Sequence, residues 1–593
     1  MSRPSYLTNP IGSPLRRAVR GLALALVALA LAATASAQGL ERLLPQDTFV
    51  AIGLSGLQQH EAKFQPIVDE WVRLDLGALL NEALAEEEVA GELDELDDAI
   101  PEAFAGLGFY DFFGDEFWFA VSASRSNPLP TVTVVARVSE EAAAALAQAI
   151  EEESDPADFQ VLTEGSIEFR VGATDEFDTP IAFAIEGTLV TASSNPDALR
   201  GVLRRYQGAA EPSFRDSAGF AAAVAPIMPG NVVAYFDLPT IVGLARPFAE
   251  GMGFDASVDR LARALETVGS YGAVTRVTDQ GVESLSLQVL GDASLDPSLH
   301  ALLSNRTPVS SEPLAFVGPG AVGYQAGSTD LGAWWDYLDE LSADLPELGI
   351  GGLNAFVADN LGLDLNQLLF DWMGDTFATI TPAFAPATQI GVMPENLLGD
   401  AVYLIETTDP AAAAQGLQML IQMAGFMASS FADPYGEGGG MPAAPQTRDV
   451  GGVSVDSYAL AEGVTLEVAI TGGYVLIATS SDSMDAALQA QAAGGGLPAG
   501  LAELAAEVPL GAGNVSFVDG GASYRALAEQ LGAEFGLFAG LAGSDFDFEA
   551  VERAGGALQE FLSFVADRMG GAYSYGVSDG GVLRGYSLSR VAW

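Results

Sequence analysis

Apolar and polar residues alternate along two short stretches of this chain. Every second residue of 131–138 is Val or Ala, and in 284–289 Leu and Val alternate with Ser and Gln. A period of two predicts β-strands, and a polar second face is typical of antiparallel sheets. Further strands are predicted at 48–54, 116–122 and 231–237, and 271–290 reads as a closing hairpin.

Other stretches have the period of a helix. Phe64, Ile67, Val68, Trp71 and Leu74 recur at helical spacing after the first strand. Helices are also predicted at 140–152, 195–206 and 239–267. The acidic segment 82–98 is interpreted as a solvated helix face rather than a cation site. Hairpin-linked strands mixed with helices predict the α+β class, with mainly antiparallel sheets flanked by helices.

The same patterns occur twice in the same order. Gly114-Asp115-Glu116-Phe117 returns as Gly374-Asp375-Thr376-Phe377, and the run 277–282 returns at 577–582. The spacing of these matches is far longer than a solenoid repeat of roughly 20–50 residues. We therefore predict two tandem, similar domains, 38–295 and 314–593, joined by a Pro-containing linker at 296–313. The second carries a Gly/Pro-rich insertion near 429–446.

The N-terminus has the three parts of a secretory signal. A basic region with Arg16, Arg17 and Arg20 precedes the apolar run 21–33, and small residues lead to Ala37 and Gln38. The apolar run is shorter than the roughly 20 residues that span a bilayer. We predict a signal peptide at 1–37, cleaved between Ala37 and Gln38, and an extracytoplasmic (periplasmic or secreted) mature protein. An uncleaved anchor is the alternative, and the choice between Sec and twin-arginine export stays open.

The charge of the chain is strongly negative. It has 79 acidic and 25 basic residues, and removing residues 1–37 takes away four arginines and no acid, which lowers the net charge from −54 to −58. Such a field repels nucleic acid and anionic lipid headgroups. With Lys63 as the sole lysine, the composition suits a salty habitat. Nucleic acid is therefore not an expected partner.

Several classes of active site are excluded by composition. The chain has no cysteine and only two histidines, His60 and His300, so it has no cysteine nucleophile and no Cys/His metal site. The run 576–580 fits the nucleophile-elbow pattern, but no histidine follows it and it is predicted to form a hairpin turn. The run 318–323 fits a dinucleotide-binding pattern but leads into a strand. No cofactor is expected.

Carboxylates remain the available chemical groups. Asp115 and Asp375 occupy matching positions of the two copies and are the candidate acids, although Gly-Asp is also an ordinary turn sequence before a strand. Two suitably spaced carboxylates suffice for a glycosidase. The acidic run 545–549 lacks the spacing of an EF-hand loop, so only weak surface calcium binding is expected there.

Three local features resemble a known family. These are the turn 44–48 before the first strand, the strand entry 114–117, and the Ser-containing break 192–194 before 195–199. Together they are similar to a family of secreted bacterial proteins known as domain of unknown function 3352. The resemblance implies an exported bacterial protein with no established activity, and it supplies no functional residues.

Two functions follow as hypotheses. The first is an exported, acidic, non-enzymatic protein that binds a ligand or partner, or associates with cell-envelope components, with calcium as a bridging ion. The second is a carboxylate-dependent, glycosidase-like hydrolase that acts outside the cytoplasm. A structure distinguishes them by the clefts it contains and by the acids inside those clefts.

Overall fold

The computed structural model describes residues 39–76, 79, 108–123, 130–153, 159–174, 177–251, 255–345, 351–382, 401–432, 445–461, 464–529 and 548–593. The predicted signal peptide with its cleavage site, the acidic segment 82–98 and residues 545–547 lie outside these ranges, as do residues 433–444 of the predicted insertion. Packing divides the chain into two compact units. Unit 1 comprises Met1–Ala62, Pro101–Tyr235 and Gly272–Val282, and unit 2 comprises Lys63–Ile100, Phe236–Tyr271 and Glu283–Trp593.

The described residues form twenty strands. They are Thr48–Ser55 (β1), Glu116–Ser122 (β2), Thr131–Arg137 (β3), Phe159–Glu164 (β4), Ile167–Thr174 (β5), Phe177–Glu186 (β6), Leu189–Ser193 (β7), Val232–Asp237 (β8), Ser270–Val277 (β9), Gly281–Val289 (β10), Ala321–Ser328 (β11), Met373–Pro382 (β12), Val402–Thr407 (β13), Gln446–Val450 (β14), Val453–Ala461 (β15), Val464–Thr471 (β16), Tyr474–Ala478 (β17), Asn514–Asp519 (β18), Met569–Asp579 (β19) and Val582–Val591 (β20).

Helices connect and cover these strands. The α-helices used below to describe the chain are Glu61–Arg73 (α1), Phe109–Phe113 (α2), Glu140–Glu153 (α3), Pro196–Tyr206 (α4), Leu238–Gly251 (α5), Asp255–Val268 (α6), Pro297–Ser304 (α7), Leu331–Ala343 (α8), Leu353–Leu361 (α9), Pro410–Ala432 (α10), Ser481–Ala493 (α11), Ala499–Ala505 (α12) and Phe548–Ala566 (α13).

Unit 1 is built on an antiparallel sheet. Its strands follow the order β4-β5-β6-β7-β3-β2-β1, and β8 pairs with β1. Its core centres on Trp118, which is fully buried, and on Phe214, whose ring centroid lies 6.3 Å from that of Trp118. Gly53 makes this packing possible, because a Cβ there would lie 2.7 Å from the Trp118 ring. Burying an aromatic side chain of this kind contributes about 1.5–3 kcal/mol.

Unit 2 is also built on antiparallel strands. Its strands follow the order β14-β15-β16-β17-β13-β12-β11-β18-β19-β20, and β10 pairs with β20. Apolar residues cover both faces near β17. Leu476 packs in a cluster with α11 and α12, and its neighbour Val475 packs on the other face with Trp372 and α10.

Antiparallel pairing combined with helices confirms the predicted α+β class. The seven strands from β4 to β1 follow the same pairing order as those from β14 to β11, and β8 and β18 take matching places beside β1 and β11. Gene duplication would produce this shared order. The duplication itself, and the domain boundary at 296–313, stay predictions.

Two stretches differ in detail from the sequence expectations. The predicted linker 296–313 contains the helix α7, because Asp296 caps its first turn by accepting a hydrogen bond from Leu299 N and Pro297 takes the first helical position. The long helical stretch predicted at 239–267 is two helices, α5 and α6. Gly251, a poor helix former, is the last residue of the first of these helices.

Candidate functional site

Asp115 lies at an exposed strand entry in unit 1. Its side chain is 56% exposed and its carboxylate lies 3.7 Å from the Arg137 guanidinium. Its main-chain carbonyl accepts a hydrogen bond from Gly56 N at 2.7 Å. The adjacent Glu116 is buried instead, and accepts hydrogen bonds from Leu40 N at 2.8 Å and Trp118 Nε1 at 3.1 Å. Asp115 therefore has a surface ion pair, and its backbone extends the pairing of β1 with β2 by one hydrogen bond.

Asp375 occupies the matching strand entry in unit 2 and is also exposed. Its carbonyl accepts a hydrogen bond from Thr329 N at 2.8 Å. Partial burial, and then the negative charges of Asp330 and Glu406, raise the pKa of the Asp375 carboxyl. Both neighbouring acids already accept backbone hydrogen bonds, Asp330 from Ala333 N and Glu406 from Thr376 N. The three carboxylates thus form an acidic cluster at a strand end.

Across the described ranges, no three ligating side chains come together in an arrangement that would hold a metal ion. Among the helices in those ranges, none has both the length and the apolar character that crossing a bilayer requires.

A small cleft of about 180 Å³ opens on the sheet of unit 2. The cleft is lined by residues of β10, β18, β19 and β20, by Tyr271 near the start of β9, and by the segment that follows α7. Its lining residues are Tyr271, Ser286, Gln288, Arg306, Asn514, Tyr575, Gly576, Val577, Leu583, Arg584 and Gly585. None of these described lining residues is acidic, although the chain has 79 acids.

Two paired glycines form the floor of this cleft. Gly576 of β19 lies opposite Gly585 of β20, and Asn514 of β18 lies opposite Gly576. A methyl group at Gly576 would collide with Asn514 Oδ1, and one at Gly585 would lie 2.5 Å from Ser286 Oγ. The Asn514 amide and the Ser286 hydroxyl therefore lie over bare backbone. Glycine inside a strand often marks such a close approach.

The strand geometry separates the lining residues into two groups. Successive strand residues point to opposite faces, so Leu583 shares the face of Gly576 and Gly585, whereas Tyr575 and Arg584 lie on the other face. Arg584 is 3.9 Å from Asp579, and Tyr575 stacks on Tyr586 with ring centroids 5.2 Å apart. The arginine whose guanidinium can reach the cleft is therefore Arg306.

Arg306 is held by anchors on either side of it in sequence. Ser304 O accepts a hydrogen bond from Ser578 Oγ at 2.5 Å, and Val309 N donates to Ala512 O at 2.8 Å. Gly513 gives room to the arginine stem, since a Cβ at Gly513 would lie 3.0 Å from Arg306 Cβ. These contacts fix the backbone of Arg306 beside the first residue of β18, at the edge of the cleft.

Helix α7, which leads into Arg306, is anchored by a buried ionic network. Asp296 accepts hydrogen bonds from Leu299 N at 3.0 Å and from the Tyr337 hydroxyl at 2.9 Å, and it forms a buried ion pair with Arg260. Arg260 also contacts Asp344 at 3.2 Å. The network connects α6, α7 and α8, so the helix before Arg306 is fixed at its first turn and at its last.

Sequence reasoning singled out neither Arg306 nor the two floor glycines as site residues. In the sequence, Gly576 stands out only as part of a nucleophile-elbow pattern. Its segment forms the predicted hairpin of β19 and β20, and Gly580 and Gly581 have positive φ in the turn. The usable signal was glycine inside two apposed strands. The structure puts Asp115 and Asp375 at strand entries, and neither is among the residues that line the cleft.

Comparison with known proteins gives a family and little else. No curated protein matches the chain. Two solved structures, crystal forms I and III of TP0453, are 12% and 10% identical, each over 47% of this chain and over 79% and 91% of their own chains, with TM-scores of 0.21 and 0.20. TM-scores of this size do not establish a shared fold. The model of the family described as "Protein of unknown function (DUF3352)" matches residues 110–438, which is more than half of the chain. The chain therefore belongs to the DUF3352 family.

Proposed function

We propose that this protein is an exported, non-enzymatic binding protein that holds a small polar ligand in the glycine-floored cleft of unit 2. The observation that carries the proposal is the composition of the cleft. It presents an arginine, two side-chain amides, a serine and an exposed tyrosine around bare backbone, with no carboxylate among its described lining. Convergent polar groups around a concavity are the usual mark of a ligand site.

The size of the cleft limits the ligand. Sites for drug-sized molecules enclose about 300–1,000 Å³, whereas this cleft has about 180 Å³. It therefore suits a molecule of one ring or a short chain. The export signal predicted at 1–37 would place that ligand outside the cytoplasm, among periplasmic or environmental solutes. Envelope components and calcium remain proposed partners of the acidic surface.

A thermal-shift screen of the mature protein tests this function. The probes are neutral and acidic monosaccharides, small carboxylates, phosphate and calcium chloride. A ligand at 100 times its Kd stabilises the folded protein by about 2.7 kcal/mol. We expect at least one small polar probe to raise the melting temperature of the parent protein, and Gly576→Ala to abolish that rise, because its methyl group displaces the Asn514 amide.

Gly556→Ala is the matched control for that substitution. Gly556 lies on α13, and nothing lies within 4 Å of the position a Cβ would take there. This variant should bind as the parent does. A shift that persists unchanged in Gly576→Ala would place the ligand elsewhere, and the absence of a shift with every small polar probe would contradict the proposal.

The hydrolase is retained as a second proposal because of Asp375. A carboxyl of raised pKa beside two other acids has the electrostatic character of a general acid. It is exposed, however, and its two neighbours are occupied by backbone N–H groups. The test is hydrolysis of nitrophenyl glycosides by the parent protein and by Asp375→Asn. Turnover that the substitution removes would favour the hydrolase, and absence of turnover in the parent would dismiss it.

A further inference from the structure

We propose that the ligand of the glycine cleft is a sugar acid, that is, a ring-sized polyhydroxylated carboxylate of the hexuronate type. This inference rests on the proposed function of the same site and specifies the chemical class of its ligand. It places the carboxylate on Arg306, the hydroxyl groups on Asn514 and Ser286, and one face of the ring beside Tyr271.

The unpaired state of Arg306 is the first argument. Several arginines of unit 2 are used in ion pairs, such as Arg448 with Glu467 at 2.5 Å and Arg525 with Asp567 at 3.2 Å. Within the described part of the chain Arg306 has no ion-pair partner and no other interaction of its guanidinium. Arg306 is exposed, and a guanidinium presents a planar fork of donors that matches a carboxylate, so this side chain is available to an anionic ligand.

The groups over the floor are the second argument. Asn514 and Ser286 lie above the glycine pair at half-buried positions, and the Gln288 side-chain nitrogen already donates to Val268 O at 3.2 Å, which leaves its amide oxygen as an acceptor. The Asn514 amide and the Ser286 hydroxyl can both donate and accept hydrogen bonds, and the free Gln288 oxygen accepts them. They suit vicinal hydroxyl groups, which do the same, better than they suit an inorganic anion, which only accepts.

The shape of the cleft is the third argument. The Asn514 and Ser286 side chains lie over its glycine floor, and Tyr271, 37% exposed, adds an aromatic surface to the lining. A saturated ring with polar edges and apolar C–H faces uses such a surface together with the polar groups around it. The volume of about 180 Å³ admits one such ring and no long chain attached to it.

The charge of the whole protein gives the proposal a distinctive signature. A net charge of −54 repels an approaching carboxylate at long range, while the contact with Arg306 acts at short range. Raising the salt concentration from 0.1 M to 1 M shortens the Debye length from about 10 Å to about 3 Å, which removes most of the repulsion. Association with the sugar acid should therefore become faster as salt is added, the opposite of an ordinary charge-steered encounter.

Titration calorimetry with matched sugars tests the inference. Galacturonate and galactose differ by a carboxylate in place of a hydroxymethyl group, as do glucuronate and glucose. We expect at least one acid to bind the mature protein about tenfold or more tightly than its neutral partner, the usual worth of a charge-assisted hydrogen bond. Arg306→Ala should remove that preference and Arg306→Lys should retain part of it. Arg525→Ala, which removes the same charge from a distant surface pair, should leave it unchanged.

The outcomes separate this inference from the proposed function. Equal binding of acid and neutral sugar, or an acid preference that survives Arg306→Ala, overturns the sugar-acid assignment and leaves a small-ligand site in place. Absence of binding by all four sugars overturns the assignment too, and the function falls with it only if every other small polar probe also fails. Stopped-flow association rates for the acid that fall as salt is added would likewise contradict the assignment.

Discussion

The buried carboxylate of Asp296 provides the sharpest stability test. Its side chain is 3% exposed, pairs with Arg260, caps α7 through Leu299 N and accepts the Tyr337 hydroxyl. Asp296→Ala removes all three interactions. Asp296→Asn keeps the helix cap through its amide oxygen, because asparagine is also a preferred capping residue, but it puts an NH2 donor in place of Oδ2, which accepts from Arg260 and Tyr337. The pair of variants thus separates the ionic contribution from the cap.

The expected cost follows from these contacts. Losing an N-cap costs about 1 kcal/mol, and leaving a buried charge without its partner costs about 3–5 kcal/mol. Because Arg260 keeps a second contact with the half-exposed Asp344 at 3.2 Å, losing its ion pair with Asp296 should cost about 3 kcal/mol, the low end of that range. Because the interactions share partners, their costs overlap. We expect about 3 kcal/mol for Asp296→Ala and about 2 kcal/mol for Asp296→Asn, which keeps the cap.

Urea unfolding at pH 7 and at pH 3 measures both variants. Burial raises the pKa of the Asp296 carboxyl, but the hydrogen bonds from Arg260, Leu299 and Tyr337 outweigh it, and the pKa is lowered. A lowered folded-state pKa contributes stability above the unfolded value of about 3.9, and this stability is lost as pH falls through the folded pKa. The deficit of Asp296→Asn should therefore shrink on acidification. A cost below about 1 kcal/mol for Asp296→Ala, or a deficit that does not depend on pH, would refute this reasoning.

Three further outcomes are expected. Burial raises the pKa of the Glu116 carboxyl and outweighs the hydrogen bond from Leu40 N, which lowers it. The protonated carboxyl therefore stabilises the fold at low pH, and this stability is lost as pH rises. Glu116→Gln should unfold at the same or a higher urea concentration than the parent at pH 7, and a clearly lower concentration would contradict this. Arg448→Met leaves the buried Glu467 with only the Ser481 hydroxyl and should cost about 3 kcal/mol in urea unfolding, whereas a cost near zero would show that the pair is not needed. The melting temperature of the mature protein should rise between 0.1 M and 1 M NaCl because repulsion among 79 acids is screened, and a flat curve would count against this.

Secondary structure could be predicted from sequence where one face of an element is buried. The alternation along 131–138 predicts β3, and the capped start Asn195-Pro196 predicts α4, whose first turn is held by the Asn195 side chain at Asp197 N. Helix α7 was missed because Pro297 and its neighbours were interpreted as linker residues. The decisive feature there is the contact of Asp296 with Arg260 and Tyr337, which no local pattern reveals.

The cleft could not be predicted because its parts are distant in sequence. Ser286 and Gly585 are about 300 residues apart and become neighbours only through the pairing of β10 with β20. Asn514 lies on a third strand and Arg306 on the segment after α7. Each residue type is ordinary for a strand or a loop. The matching sequence patterns that point to Asp115 and Asp375 correspond to matching strand starts in the two units, whereas the cleft lies in unit 2 alone.

Oxidative footprinting of the mature protein tests the central claim most directly, because it reports where a ligand lies. Tyr271 in the cleft and Tyr206 on unit 1 are 37% and 42% exposed, so their labelling rates should be similar in the free protein. With a saturating ligand identified by calorimetry, we predict that labelling of Tyr271 slows several-fold while that of Tyr206 does not change. Equal labelling of Tyr271 with and without bound ligand would contradict the account.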